Sequence, residues 1–178
     1  ESNIHDIYQL ELNQKDANMR ALQAQINPHF MYNTLEFLRM YAVMENQNEL
    51  ADIIYEFSSL LRNNISDERE TTLKQEVEFC RKYSYLCMVR YPKSIAYGFK
   101  IDPELEEMRI PKFTLQPLVE NYFAHGVDHK RTDNVISIKA LKKDGYVEIL
   151  VTDNGRGMSA EKLAEIQAKL AQRTFEHT

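Results

Sequence analysis

The sequence predicts an α-helical segment followed by an α+β domain, and the placement of glycine and proline is the main reason for this division. No glycine precedes Gly98, and residues 29–91 contain neither glycine nor proline. A stretch of that length without these turn-forming residues favours long helices over β structure. From Gly98 onward the chain holds all five glycines and three of the five prolines, and its apolar residues follow both strand and helix periods.

Composition and charge exclude several classes of protein. Of the 178 residues, 43% are hydrophobic and 28% are charged, which is typical of a globular chain. A net charge of −5 argues against a nucleic-acid binder with a basic surface, and no apolar run approaches the ~20 residues that span a bilayer. No signal peptide is recognisable. Cys80 and Cys87 lie seven residues apart on one predicted helix, too far apart to bridge, so we expect free thiols in a reducing cytosol.

Residues 3–46 predict one long helix, because small and aliphatic residues recur there at steps of three and four. After a polar break at residues 45–48, residues 49–65 predict a second amphipathic helix. The two helices predict an antiparallel hairpin, assigned to residues 1–66, and its wide apolar stripe predicts dimerisation into a four-helix bundle. The chain begins at Glu1, without Met and inside this pattern, so we expect an excised fragment. The seam comprises Ile7, Leu10, Gln14, Ala17, Ala21, Ala24, Pro28, Met31, Leu35, Leu38 and Ala42, and a second row comprises Leu22, Ile26, Phe30, Phe37 and Tyr41.

Residues 67–178 predict a mixed α/β domain that opens with a linker helix. Thr72 followed by Gln75 is a capping-box pattern, and it predicts a helix over residues 72–90. The apolar run at residues 95–101 predicts a strand that ends at an Asp-Pro turn.

A further helical stretch is predicted from Pro111 to Ala124 or His125. Because Pro117 lies inside this stretch, the helix start at Pro117 is the alternative. Gly126 is placed as the residue that stops the helix.

A β-hairpin and a last helix complete the predicted domain. Residues 135–142 and 146–152 alternate in hydropathy and flank an Asp-Gly turn, which is a strong hairpin signal. After residues 153–158, Ser159 is placed as the N-cap of a new helix.

Four polar residues share one face of the first predicted helix. Gln25, His29, Asn33 and Glu36 are spaced four, four and three residues apart. A histidine on such a stripe is reachable from solvent, and imidazole is nucleophilic at physiological pH. The pattern by itself is also typical of a solvated polar face beside a helix kink at Pro28.

The segment LQPLVENYFAHG, residues 115–126, is the second group of candidate functional residues. The amide oxygen of Asn121 is a hard neutral ligand suited to Mg²⁺ that bridges to phosphates. An amphipathic helix with a polar end is the alternative interpretation. His125 and His129 have the spacing of a metal pair, but Gly126 lies between them and no third ligand stands out, so a site there is not expected.

The segment DNGRGM, residues 153–158, is the third group. Asn-Gly alone indicates a hairpin turn, but here it follows a strand and precedes a helix. The carboxylate of Asp153 at a strand end can accept the exocyclic amino proton of adenine. Gly155 and Gly157 allow the backbone to pass close to a nucleotide.

Together and in this order, the three segments resemble the H, N and G1 boxes of sensor histidine kinases of the LytS/YesM type. The run LQAQINPHFMYNTLE is similar to that family's phosphoacceptor motif, and LQPLVEN and DNGRGM follow in the same spacing. The intervening TLKQEVEFCRKYSYLCMVRYP is similar to the family's linker helix. The resemblance covers residues 5–165.

The resemblance implies roles for individual residues. His29 would be the phosphoacceptor, and Asn33 would position a water or the receiver domain for dephosphorylation. Asn121 would coordinate Mg²⁺, and Glu120 would orient the metal shell or a water. The adenine would be recognised by Asp153, and the other ATP-site positions would be His125, Gly155 and Gly157.

The resemblance also implies a fold and an activity. The fold would be a dimerisation hairpin followed by a partial Bergerat-type ATP-binding α/β sandwich. The protein would be the cytoplasmic kinase portion of a membrane-anchored sensor, which uses Mg·ATP to phosphorylate His29 and passes the phosphoryl group to an aspartate of a response regulator. The partners would be a second copy of the chain and that regulator, and not nucleic acid.

Three features depart from the family pattern. Tyr122 stands where the residue after the N-box asparagine is usually small, and Ala124 stands where a lysine is usual. The chain also ends at Thr178, where the glycine-rich G2 box would begin. We therefore expect this fragment to bind ATP poorly and to be inactive by itself.

Two alternatives change the functional class. A catalytically weak signalling adaptor, acting by dimerisation and partner binding, is favoured by Tyr122 and Ala124 and opposed by the intact stripe around His29. An ATPase of the gyrase and chaperone superfamily would share the nucleotide fold but would need neither His29 nor the helical hairpin.

Overall fold

The computed structural model describes residues 10–15, 17–18, 27–65 and 68–175, without the side chains of residues 64, 65 and 172–175. The chain divides into two compact units, Glu1–Ser66 and Asp67–Thr178. Among the described residues, no helix combines the length and the apolar character that crossing a membrane requires.

The first unit contains the predicted helical hairpin. Helix α1 spans Pro28–Met44 and helix α2 spans Asn48–Ile65, and the two pack against each other. Asn46 ends α1 in the left-handed region at φ 58°, a conformation that asparagine tolerates better than most residues. The short polar break was therefore placed correctly from the sequence.

The prediction of one continuous helix over residues 3–46 is wrong at Asn27. Asn27 has extended backbone angles, and its side chain accepts hydrogen bonds from the amides of His29 and Phe30 at 3.1 and 3.3 Å. A residue before proline is disfavoured in the α region, and asparagine is a strong N-cap, so the helix starts afresh at Pro28. Residues 10–15 and 17–18 are helical, and the rest of the predicted segment before Asn27 lies outside the described residues.

One face of α1 packs on α2 and another stays exposed. The half-buried and buried residues Met31, Leu35 and Ala42 belong to the predicted seam. Across the hairpin, the guanidinium of Arg62 lies 5.2 Å from the centre of the Tyr32 ring. The described members of the second apolar row remain in solvent, namely Phe30, Phe37 and Tyr41.

The second unit is built on a three-stranded sheet. Strand β2 spans Ile95–Ile101, β4 spans Asn134–Lys143 and β5 spans Tyr146–Asp153, in the order β2-β4-β5. Strand β2 pairs with β4 in parallel, and β4 and β5 form the predicted antiparallel hairpin around Asp144-Gly145. Gly145 has φ 83°, which explains why glycine occupies this turn position.

Helices and short strands complete this unit. Helix α3 spans Leu73–Arg90, helix α4 spans Gln116–Asn121 and helix α5 spans Ala160–Phe175. The Thr72–Gln75 capping box at the start of α3 is confirmed, and the Ser159 hydroxyl accepts the Lys162 amide at 3.2 Å before α5. The hydrophobic core joins α3 and α4 to the sheet through Leu73, Val77, Cys80, Val119, Ile136, Ile138 and Ala140.

Residues 111–115 are not helical, which corrects the first of the two predicted helix starts. Pro111 is the last residue of a short strand β3, Arg109–Pro111, which pairs with β1, Glu70–Thr72. Helix α4 begins at Gln116 with Pro117 in its first turn, as the alternative start at Pro117 anticipated. A three-residue strand shows no period-two pattern, which is why the β1–β3 pair was missed.

Candidate functional site

His29 lies in the first turn of α1, where its ring is exposed to solvent. The amide of Asn33, one turn later, places its Nδ2 atom 3.2 Å from Nδ1 of His29. A side chain four residues away on a helix has the correct spacing for this contact. The stripe therefore contains a histidine whose Nδ1 atom contacts Asn33 and whose Nε2 atom makes no hydrogen bond within the described part of the chain.

Glu36, the last member of the predicted stripe, pairs with Arg39 rather than with the histidine. Its carboxylate accepts hydrogen bonds from the Arg39 guanidinium, and this bond is the main reason that the pKa of Glu36 is lowered. Gln25, the first member, lies outside the described residues. Of the three stripe residues that the structure describes, only His29 and Asn33 are thus brought into contact.

The start of α4 is held by a buried carboxylate of α3. Glu76 is 1% exposed, and its Oε1 atom accepts the amides of Leu115 and Gln116 at 3.0 and 3.3 Å. Its Oε2 atom accepts Nε2 of Gln116 at 3.2 Å. An anion at a helix N-terminus satisfies amides that have no partner within the helix and interacts favourably with the helix dipole.

Sequence reasoning missed Glu76, although a signal was present. Leu73, Val77 and Cys80 form the buried face of α3, and position 76 lies on that same face by helical spacing. A carboxylate on an apolar face requires a partner, because an unpaired buried charge is costly. That partner is the first turn of α4.

Asn121 and Glu120 end α4 in different surroundings. The Asn121 side chain is exposed and makes no hydrogen bond to the described residues. Glu120 is half-buried and lies within electrostatic range of Cys80 and Tyr83 on α3. The amide of Asn121 is therefore available to a ligand.

The chain after α4 forms a single π-helical turn, Tyr122–Gly126, that contacts the DNGRGM segment. The Gly126 carbonyl accepts the Arg156 amide at 3.0 Å. A Cβ atom on Gly155 would lie 2.9 Å from that carbonyl oxygen and 3.0 Å from Cα of Gly126. The close approach of the two backbones explains the glycine at position 155.

Asp153 ends β5 with an exposed carboxylate. Its Oδ1 atom accepts the Gly155 amide at 2.7 Å, which fixes the side chain against the following turn. Gly157 has φ 69°, so the backbone of this segment uses the left-handed region that glycine favours. The predicted candidates Asp153 and Gly155 therefore meet Gly126, which the sequence placed only as the residue that stops a helix.

Asn154 ties the DNGRGM segment to the sheet. Its Oδ1 atom accepts the Val135 amide at 2.8 Å, and its Nδ2 atom donates to the Asp133 carbonyl at 2.6 Å. Nη1 of Arg131 donates to the Asn154 carbonyl at 3.0 Å. Sequence reasoning treated Asn154 only as part of a turn, and these contacts show that it extends the sheet pairing by one residue.

The departures Tyr122 and Ala124 have different surroundings. Ala124 is exposed, as is His125 beside it. Tyr122 is 3% exposed and packs in the hydrophobic core, so its ring does not project into solvent beside Asn121.

His129, the other member of the histidine pair noted in the sequence, contacts the ring of Tyr91, with ring centres 4.4 Å apart.

Both units match known families. Residues 17–95 match a sequence model described as histidine kinase, and residues 112–178 match one described as histidine kinase-, DNA gyrase B- and HSP90-like ATPase. The sensor histidine kinase YesM of Bacillus subtilis is 37% identical over 150 residues, which are 84% of this chain and 26% of that protein. The chain belongs to the sensor histidine kinases.

Other members of this family show similar agreement. The sensor protein LytS of Oceanobacillus iheyensis is 36% identical over 157 residues, which cover 87% of this chain and 26% of the relative. The sensor histidine kinase/phosphatase LytS of Staphylococcus aureus is 31% identical over 152 residues, covering 84% of this chain and 26% of the relative. The chain thus spans about a quarter of the length of these relatives. The match over residues 17–95 disfavours the gyrase-type alternative, which would not need the helical hairpin.

Proposed function

We propose that this chain is the kinase portion of a two-component sensor, which phosphorylates its own His29 from ATP and transfers the phosphoryl group to an aspartate of a response regulator. The observation that carries this proposal is the solvent-exposed pair formed by His29 and Asn33. It occurs in a chain whose second unit matches an ATPase family. Phosphotransfer needs both a reachable nucleophile and a nucleotide site.

The nucleotide site is assigned to the place where the π-helical turn meets the DNGRGM segment. The exposed Asp153 carboxylate accepts the exocyclic amino group of adenine. The close contact of Gly126 with Gly155 leaves the backbone free of side chains at this place, and Gly157 provides the turn. His125, exposed in the π-helical turn, is assigned to the ribose or phosphate side of this site.

Asn121 fits the requirements of a magnesium ligand. Its side chain is exposed and makes no hydrogen bond to the described residues, so the amide oxygen is free. Mg²⁺ is commonly held by one or two protein oxygens together with waters and substrate phosphates. When bound, the ion neutralises charge on the β- and γ-phosphates. The adjacent Glu120 is assigned to orienting a water of the metal shell.

At His29, the free Nε2 atom is the proposed nucleophile. Attack forms an N–P bond, breaks the bond between the γ-phosphorus and its bridging oxygen, and releases ADP. Nε2 has a lone pair only when the ring proton is on Nδ1, and a neutral imidazole carries one such proton. Rotation of the Asn33 amide by half a turn presents its oxygen to Nδ1–H, so Asn33 can hold the reactive tautomer.

The proposal extends to partners and location. The exposed apolar row of α1 is assigned to a second copy of the chain, which would complete a four-helix bundle. The receiver domain of a response regulator is the proposed phosphoryl acceptor, and Asn33 is placed to orient a water during dephosphorylation. The location proposed is the cytoplasmic side of a membrane-anchored sensor, as the family resemblance implies.

An adaptor without kinase activity is the second candidate, and Ala124 favours it. Ala124 offers no cation to a phosphate, and we propose that residues 1–178 by themselves are inactive partly for this reason. The intact protein distinguishes the two candidates, because an adaptor would dimerise without consuming ATP.

The test is phosphorylation of the intact protein with γ-labelled Mg·ATP, followed by addition of the purified receiver domain. We expect acid-labile, base-stable label on the kinase that moves to the receiver. Asp153→Ala and Asn121→Ala should each lower the labelling rate by at least tenfold, since each removes a contact to the nucleotide or its metal. Tyr146→Phe, on the exposed start of β5, is the control and should label normally. An intact protein that takes up no label would support the adaptor.

A further inference from the structure

Arg62 of α2 lies against the part of α1 that carries the assigned phosphoacceptor. Its guanidinium carbon is 5.2 Å from the centre of the Tyr32 ring. Tyr32 follows His29 by three residues, and residues three apart are neighbours on a helix surface. By helical spacing, the half-buried Tyr32 lies between the seam that packs on α2 and the exposed His29. Arg62 therefore reaches the His29 side of α1 from the second helix.

A second observation places the charge of Arg62 beside the same face of α1. The pKa of Glu36 is lowered, mainly by the hydrogen bond from Arg39 and in part by the positive charge of Arg62. Glu36 lies two helical turns beyond His29 on the polar stripe. Contacts with residues one and two turns beyond His29 thus place Arg62 along the stripe.

Arg62 is the cation of the helical hairpin that is available to a further anion. Residues 28–65 contain five carboxylates but only two cationic side chains, Arg39 and Arg62. Arg39 already pairs with Glu36. Arg62 is exposed and makes neither a hydrogen bond nor an ion pair with the residues that the structure describes. An arginine side chain stays protonated and offers five N–H donors, so Arg62 can bind an anion placed beside it.

A phosphoryl group on His29 would bring negative charge to a hairpin that is already acidic. During transfer that charge is spread over three phosphoryl oxygens. A guanidinium matches the geometry of such oxygens, and hydrogen bonds between ionised groups are about twice as strong as neutral ones. Donors fixed where charge develops stabilise the transition state, so a cation held at this place would speed the transfer.

We propose that Arg62 binds the phosphoryl group at His29, with its N–H groups donating to the phosphoryl oxygens while the Tyr32 ring holds the guanidinium in place. This inference rests on the proposed function, which assigns His29 as the phosphoacceptor. In the transfer, Nε2 of His29 forms the N–P bond, the bond between the γ-phosphorus and its bridging oxygen breaks, and ADP leaves. Arg62 remains protonated throughout and takes no proton.

The test measures labelling of His29 in the intact protein from γ-labelled Mg·ATP over a range of ATP concentrations. Arg62→Gln removes the charge and should lower the maximal labelling rate about tenfold, the value of one charge-assisted hydrogen bond, without changing KM for ATP. Arg62→Lys, which keeps the charge, should lose less than threefold. The matched control is Arg90→Gln, because Arg90 also lies in the last turn of a helix and stacks on a tyrosine. It should label at the wild-type rate.

A second phosphoryl donor separates this inference from the proposed function. Phosphoramidate phosphorylates histidine without a nucleotide: Nε2 forms the N–P bond, the P–N bond of the donor breaks, and ammonia leaves. Arg62→Gln should slow this labelling of His29 by a similar factor, and Arg90→Gln should not. If the wild-type protein takes no label from ATP but phosphoramidate labels His29 in a manner that depends on Arg62, the proposed function fails and the present inference stands.

Several results would overturn the inference. Labelling of Arg62→Gln at the wild-type rate would remove the role of Arg62, and equal losses in Arg62→Lys and Arg62→Gln would make packing the cause instead of charge. A raised KM with an unchanged maximal rate would place the effect in nucleotide binding. Loss of helix content in Arg62→Gln, measured by circular dichroism, would make slower labelling structural. If neither donor labels His29 of the wild-type protein, both the inference and the proposed function fail.

Discussion

At the level of single residues, the contact between His29 and Asn33 gives the most specific chemical expectation. Their 3.2 Å contact places an amide one turn beyond the nucleophile, where it can hold a water in line with a phosphohistidine or with the acceptor aspartate. The histidine remains nucleophilic without it. In our proposal Asn33 is therefore a positioning residue, whose contribution should be larger for dephosphorylation than for autophosphorylation.

We expect Asn33→Ala to retain labelling of the kinase from ATP and to slow dephosphorylation of the regulator about tenfold or more. The measurement is the loss of label from the phosphorylated receiver on addition of kinase and ADP. Thr34→Ala is a suitable control, since among the residues that the structure describes its hydroxyl bonds only to the Phe30 carbonyl of the same helix. Unchanged rates of both reactions would mean that Asn33 belongs to a solvated face.

Cys80 gives a second expectation at this scale. Its side chain is fully buried, and burial, followed by the charges of Glu76 and Glu120, raises the pKa of the thiol to about 12. A Cys87→Ala variant leaves Cys80 as the single thiol. Alkylation of Cys80 at pH 8 should be at least a hundredfold slower in the native protein than in denaturant, because in the folded protein the thiol stays protonated and the reagent cannot reach it. Labelling at the denatured rate would contradict the packing of α3.

The same thiol gives a sign for the pH dependence of stability. The unfolded chain releases the thiol proton near an ordinary thiol pKa of ~8.5, while the folded protein retains it up to about 12. The folded state therefore binds more protons in this window, and the free energy of unfolding should fall as pH rises through it. Cys80→Ser should remove this part of the slope.

At the level of elements, the buried Glu76 determines how α4 starts. It accepts three hydrogen bonds from residues 115–116, and α4 carries Asn121 at its other end. A capping carboxylate supplied by another helix also explains why a six-residue helix without a capping side chain of its own is ordered at this position. The orientation of Asn121 thus depends on α3.

Glu76→Ala should lower the free energy of unfolding by about 3 kcal/mol or more, because three buried donors lose their acceptor. Glu76→Gln should cost only about 1 kcal/mol, since its amide oxygen still accepts the two backbone amides. Its new amino group can donate to Oε1 of Gln116, which has no hydrogen-bond partner among the described residues. Denaturant unfolding of both variants measures the difference. Wild-type stability of Glu76→Ala would contradict the role of this cap.

Elements with a strong local signal were predicted correctly from the sequence. The capping box at Thr72 and the Asp-Gly hairpin turn are determined by neighbours within a few residues, so both were confirmed. The start of α1 was missed because the seam continues in register through Asn27, and only the local chemistry of Asn-Pro interrupts it. The cap by Glu76 and the contact of Gly126 with Gly155 join residues about 30 to 40 positions apart, and periodicity carries no information on such pairs.

At the level of the whole molecule, the exposed row on α1 gives the clearest expectation. Phe30 and Phe37 are each 68% exposed, and Tyr41 is 57% exposed on the same helix. A contiguous apolar strip of this kind is typical of a surface that binds a partner, and not of one that stays in contact with solvent. Its occupant in our proposal is a second copy of the hairpin.

We expect the protein to be a dimer by light scattering at tens of micromolar, and Phe30→Glu/Phe37→Glu to be a monomer with unchanged helix content. Introduced carboxylates would be buried without partners in the dimer, which is unfavourable. Gln47→Glu/Asn48→Glu, at the exposed turn between α1 and α2 and the start of α2, adds the same two charges and should remain dimeric. A wild-type monomer at this concentration would contradict the assignment of the apolar row.

The central claim is that His29 carries the phosphoryl group, and one measurement tests it most directly. The intact protein is incubated with γ-labelled Mg·ATP, and the label is assigned by fragmentation and by comparing His29→Gln with His129→Gln, whose ring packs on Tyr91. We predict acid-labile, base-stable label on Nε2 of His29, abolished by His29→Gln and retained in His129→Gln. Undiminished label in His29→Gln would contradict the account.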